Sequence, residues 1–350
     1  MSFVRGGLFA LVLGLVLIAI SFIPSSSEYR FRSETQGVEA KIAAEATCAH
    51  DDYDCWNTFY ADLIRDRGSL VALADLKQRY ENGDAGGICH ETLHLIGRAA
   101  FDDTDSLGVA FENGDTFCRS GYYHGVLEGV FLEEGSESLL TDLDRICENV
   151  SGKERYSYNY FSCVHGIGHG LMAHFNHDLF ASLSGCDNLS EEWEQGSCYG
   201  GVFMENVISD SPENPSRFLK RDDLVYPCNA VEARYKQSCF LMQTSHMLAV
   251  NGGDFEGAFS ECEKDSEYRI TCYESLGRDA SGWSRGANEE VVRMCGYGAN
   301  VEQRTHCLIG AAVDFIQSQG VDAARALCAQ GDESVHEACS SVVNQHAASL

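Results

Sequence analysis

The sequence predicts an all-α fold: a helical-hairpin repeat (an α-solenoid) cross-linked by disulfides, behind an N-terminal hydrophobic helix. Three observations predict it. Cysteines recur in a regular series, short apolar stripes at helical spacing lead up to them, and only four prolines interrupt 350 residues.

At the N-terminus, Arg5 precedes an apolar run from Gly6 to Ile23 that carries no charge and ends at Pro24 and three serines. Eighteen residues lie at the border between a signal-peptide core and a membrane span. Residues 1–27 are therefore expected to be a signal peptide or signal anchor, with 6–23 as the membrane contact if uncleaved. Residues 28–117 are expected to be a less regular helical part. They begin with a polar stalk or short helix from Tyr29 to Glu45 and include a helix pair between Cys55 and Tyr80.

From residue 118 to 350 the cysteines frame the chain. Cys118, Cys163, Cys198, Cys239, Cys272, Cys307 and Cys339 each open a segment, at steps of 45, 35, 41, 33, 35 and 32 residues. Each after the first follows another cysteine closely, which predicts the bridges Cys147–Cys163, Cys186–Cys198, Cys228–Cys239, Cys262–Cys272, Cys295–Cys307 and Cys328–Cys339. Cys48–Cys55 extends the series upstream and leaves Cys89–Cys118. Pairing within a hairpin, such as Cys163 with Cys186, is the alternative that spacing leaves open. Each short-range bridge would clip one hairpin to the next and stabilise the chain by roughly 2–3 kcal/mol through its unfolded state. Before the closing cysteine runs an amphipathic stripe: Leu139, Leu143, Ile146 and Cys147; Phe255, Ala258, Phe259 and Cys262; Val321, Ala324, Leu327 and Cys328. A glycine stands three residues after the opening cysteine at Gly121, Gly166, Gly201 and Gly310. Inside a helix such a residue is disfavoured unless a second backbone comes close, which is the expectation here.

Sixteen cysteines with no C-x2-C pair argue against zinc ribbons, iron–sulfur clusters and thioredoxin-type redox motifs, and for an oxidising, extracytoplasmic compartment: secreted, or anchored with 28–350 outside. The formal charge of -28 makes nucleic acid and anionic lipid surfaces unfavourable partners. A protein or glycan partner on a concave face stays open.

The sharpest chemical motif is His90-Glu91-Thr92-Leu93-His94. Residues four apart share a helix face, so His90 and His94 can ligate one ion, with Glu91 as general base on its water. These residues, with Gly97, resemble the zincin metalloprotease signature HExxHxxG, and that resemblance implies a zinc hydrolase. It departs from the metzincin form at Ala100, where the third ligand would stand. A wider pattern surrounds the motif. His124 and His169 each lie six residues after their opening cysteine, in the shared frame C-x2-G-x2-H-G. His165 precedes His169 by four, and Glu128 follows His124 by four. Three successive units thus present an i,i+4 pair, and stacked units would converge His90, His94, His124, Glu128, His165 and His169 on one or two transition-metal ions, zinc or copper foremost. Tyr122 and Tyr123 are candidates to support the imidazoles from behind. Glu205, His246 and Asp314, seven residues after their cysteines, are read as ordinary polar positions, with an extension of the same face as the alternative. Arg278 and Asp279 are read as a structural ion pair, and His174 and His177 as surface residues. Without metal, the alternative is an interaction scaffold whose histidines are packed and hydrogen-bonded.

Overall fold

The computed structural model describes residues 48, 52–84, 89–104, 107–115, 117–118, 121–133, 140–150, 152–155, 157–210, 215–284 and 286–349. The hydrophobic run at 6–23, the stalk at 29–45 and Leu139 lie outside them. Among the described residues no strand occurs, and no helix is long and apolar enough to cross a membrane.

Fifteen α-helices make up the described fold. The first pair, α1 (Tyr53–Arg67) and α2 (Ser69–Glu81), is divided by Gly68 with φ of 87°, a conformation open to glycine. Next come α3 (Cys89–Thr104), the short α4 (Leu107–Glu112) and α5 (Gly121–Glu133). From there long and short helices mostly alternate: α6 (Tyr158–His174), α7 (Leu179–Cys186), α8 (Glu192–Ile208), α9 (Ala233–Asn251), α10 (Phe255–Cys262), α11 (Arg269–Trp283), α12 (Asn288–Cys295), α13 (Val301–Ser318), α14 (Val321–Cys328) and α15 (Glu333–Ser349). Each long helix packs on the next in the order α3, α5, α6, α8, α9, α11, α13, α15, and the short ones wedge against the two they connect.

Local chemistry accounts for the short helices. Asp178 caps α7 by accepting from the Ala181 amide, and Asp254 caps α10 by accepting from Gly257. Their buried stripes, Leu179, Ser182, Leu183 and Cys186, then Phe255, Ala258, Phe259 and Cys262, follow the i, i+3, i+4 spacing that turns one face inward. The stripe at Leu143, Ile146 and Cys147 is buried too, but it forms a 3-10 turn (Leu143–Arg145) and loose turns instead of an α-helix.

The sulfurs stand as eight bonded pairs: Cys48–Cys55, Cys89–Cys118, Cys147–Cys163, Cys186–Cys198, Cys228–Cys239, Cys262–Cys272, Cys295–Cys307 and Cys328–Cys339. Among the described residues no cysteine is free, as an oxidising compartment favours. Helices α7, α10, α12 and α14 end on their bridged cysteine, whose partner sits in the first two turns of the next long helix. In these four pairs, and in Cys147–Cys163, the second cysteine is inside a helix rather than ahead of it, whereas Cys118 lies in a turn before α5; the Cα atoms of these bridges stand 5.5–6.0 Å apart.

At three crossings the long helices meet backbone to backbone. A methyl group on Gly97 would overlap the Tyr122 carbonyl, and one on Gly125 the His94 carbonyl, so α3 and α5 touch through that pair. Gly168 and Gly201 join α6 to α8 against the Cys198 and His165 carbonyls. Gly277 and Gly310 join α11 to α13 in the same register. Of the four glycines in the cysteine frame, Gly201 and Gly310 belong to these crossings. Gly121 faces the His90 carbonyl, and Gly166 faces the Leu127 side chain.

Candidate metal centre

Two of those crossings assemble the histidines. Helix α3 carries His90 and His94, α5 carries His124 and Glu128, α6 carries His165 and His169, and α8 carries Glu205. Close approach at Gly97–Gly125 and Gly168–Gly201 brings together the helices that carry these imidazoles. His94, His124, His165 and His169 are buried, and His90 is half-buried.

The rings form one continuous cluster. His90 and His94 have centroids 4.7 Å apart, His124 lies 5.3 and 5.4 Å from them, and His169 stacks on His124 at 3.8 Å. His165 lies 5.4 Å from His124 and 5.2 Å from His169. Ligand nitrogens gather in two sets of three, His90–His94–His124 and His124–His165–His169, each with its atoms within 4.8 Å of one another.

Hydrogen bonds orient three of the rings. The His90 Nδ1–H donates to the Cys118 carbonyl at 2.8 Å, the His94 Nδ1–H to Glu128 at 2.7 Å, and the His169 Nδ1–H to Glu205 at 2.8 Å. A carbonyl or carboxylate only accepts, so each of these Nδ1 atoms carries the proton, and in a neutral ring Nε2 is left as a lone pair. The Nε2 atoms of His90 and His94 face each other at 3.0 Å. Two lone pairs at that distance repel unless a cation, either a proton or a metal ion, lies between them. Deeper in, His124 Nδ1, His165 Nδ1 and His169 Nε2 are buried with no hydrogen-bond partner. A proton at the first pair leaves those three nitrogens unsatisfied, and unsatisfied buried polar atoms are uncommon in native proteins.

Electrostatics follow from burial and from the carboxylates. Burial, reinforced by neighbouring imidazoles, pushes His124 and His165 well below the ordinary histidine range and keeps them neutral. Burial also presses on His94, but the hydrogen bond and charge of Glu128 outweigh it and hold His94 above that range. Burial would raise Glu128, yet His94 and Arg98 bring it down to about 2. Glu205 is likewise held low by His169 against its own desolvation.

Of the expected site residues, the five histidines come together. Glu128 stands behind His94, where one oxygen accepts from the ring and the other from Arg98. Glu91 is on the exposed side of α3 and does not join either nitrogen set. Tyr122 does not support an imidazole: its hydroxyl donates to the Ala110 carbonyl at 2.9 Å, and the Tyr123 ring packs on Phe111. The supporting role falls to Glu205 instead, for which the sequence favoured an ordinary polar position over an extension of the histidine face. The available signal was its helical place on α8 opposite His169, one turn beyond Gly201. His246 lies apart, bonded through Nε2 to the Lys220 carbonyl at 3.1 Å, and Asp314 accepts from Ser281 at 2.5 Å. Arg278 and Asp279 do pair, at 2.8 Å, and Asp279 is fully buried. His177 is exposed, with its Nδ1 3.9 Å from Glu205.

Comparison with protein-family models, curated proteins and solved structures finds no match.

Proposed function

We propose that this chain is an extracytoplasmic α-solenoid that binds a transition metal, zinc or copper, through His90, His94, His124, His165 and His169. The observation that carries the proposal is the pair of facing Nε2 atoms of His90 and His94, whose Nδ1 atoms are both committed to acceptors. Three further buried imidazole nitrogens without partners extend it. Imidazole donors backed by carboxylates suit zinc, copper, iron and nickel, and a carboxylate behind a ring raises its basicity and fixes its tautomer. Glu128 and Glu205 supply that support.

Eight bridged pairs are the basis for the compartment, since an oxidising environment maintains them. The sequential packing of long helices is the basis for the solenoid. With Glu91 exposed and four of the five donors buried, the role proposed is holding the metal rather than hydrolysis.

Metal analysis of protein purified without a histidine tag tests the reading, followed by calorimetric titration of the chelator-treated protein with Zn2+ and Cu2+. Near-stoichiometric uptake that is lost in His124→Ala is the expected result. No uptake of either ion would leave a metal-free protein or glycan scaffold with packed histidines.

A further inference from the structure

We infer that the cluster holds two metal ions, one in each nitrogen set, with His124 shared between them as an imidazolate, its ring N–H proton passing to solvent when the second ion binds. This rests on the metal-binding reading above and adds the number of ions, their places and their order of filling.

The geometry argues against a single ion. Metal–nitrogen bonds are about 2.0–2.1 Å, so two nitrogens on one ion stand at most about 4.2 Å apart, and roughly 3.3 Å in a tetrahedron. The five histidines do not form one set within reach of a common point; they form two, overlapping only at His124. Each set also has its own machinery. One ring in each is anchored through Nδ1 by a carboxylate, His94 by Glu128 and His169 by Glu205. Each ion would therefore have a carboxylate behind one of its rings, as a buried cation requires.

The two carboxylates differ, and the difference sets the order. Glu128 also accepts from Arg98, so a fixed guanidinium already neutralises it. Among the described residues Glu205 has no arginine or lysine paired with it, and its second oxygen faces the exposed His177 ring at 3.9 Å. The His124–His165–His169 set keeps its negative counter-charge, and the nearby Arg278, whose charge reaches His165, is itself paired with Asp279, so this set fills first. The His90–His94–His124 set, beside Arg98, fills second and more weakly. With three imidazoles per ion, each keeps an open position for water or an added ligand.

Titration of the metal-free full chain with Zn2+, and with Co2+ followed by its visible absorption, tests the inference. Two equivalents bound in separate steps are expected. His94→Ala should remove the weaker step and His169→Ala the tighter one, with each variant's urea midpoint and helical circular dichroism measured to show that it folds. Glu205→Gln, which keeps the shape, should weaken the tighter step about 10–100-fold and leave the other alone. In wild-type protein carrying two Co2+, magnetic coupling between the ions gives a readout free of any variant. One equivalent in the wild type, or loss of all binding in both histidine variants, overturns the two-ion centre while leaving metal binding intact. No uptake at all overturns both.

Discussion

Two glycines on one helix should respond in opposite directions to the same methyl group. Gly196 and Gly201 both lie inside α8. A Cβ on Gly196 meets nothing within 4 Å, whereas one on Gly201 would lie 1.9 Å from the His165 carbonyl oxygen and 3.0 Å from its carbon. At Gly196 only helix propensity acts, and alanine should stabilise by about 0.5–1 kcal/mol. At Gly201 the obstacle is backbone, so no rotamer change relieves it and α6 must move away from α8. Overpacking of this kind costs about 1–3 kcal/mol, and a backbone collision belongs at the upper end. Less the propensity gain, Gly201→Ala should destabilise by about 2 kcal/mol. For an m-value of about 3 kcal/mol/M this lowers the urea midpoint of the oxidised protein by roughly 0.7 M. The crossing also spans the His169–Glu205 hydrogen bond, so zinc affinity should fall with it. If Gly201→Ala raised the midpoint as Gly196→Ala does, the close crossing and the site built on it would be refuted.

Acid and base should both weaken the metal-free protein. His124 and His165 have folded-state values depressed below the unfolded one, so their contribution is present above about pH 6.5 and lost as pH falls. Each removes about 1.4 kcal/mol per pH unit between the unfolded and folded values. His94 is raised, so its contribution is present below pH 6.5 and lost as pH rises through its folded value. Urea midpoints across pH 4–9 should peak near the histidine range, and a curve that kept rising into alkali would contradict the His94–Glu128 pair. Glu128→Gln should weaken metal binding about 10–100-fold by calorimetry without unfolding the chain; unchanged affinity would remove Glu128 from the site. Replacing Cys186 and Cys198 together by serine opens a 12-residue bridge. The loss should be roughly 3 kcal/mol by chemical denaturation, and a negligible loss would mean that the bridge does not restrain the unfolded chain.

Helical content was legible because its causes are local. The stripes at 255–262 and 321–328 and the scarcity of proline act over one or two turns. The bridged pairs were legible for the same reason: a helix end and the next helix start, 10–12 residues apart, stay close in space whatever the rest of the fold does. The stripe at Leu143 resolved into a 3-10 turn, since apolar spacing alone does not separate the two kinds of helix over so few residues.

The sequence by itself determined which residues could bind metal, because His90–His94 and His165–His169 share helix faces at i,i+4. It also put two glycines, Gly201 and Gly310, where α8 and α13 come closest to their partners. Only the tertiary structure decided that five rings meet, that they divide into two sets around His124, and that Glu128 and Glu205 stand behind rings. Which helix lies against which, and in what register, depends on contacts more than 30 residues apart, such as His94 with Glu128 and His169 with Glu205. Periodicity fixes the face a side chain occupies, while the backbone contact of paired glycines fixes what that face meets.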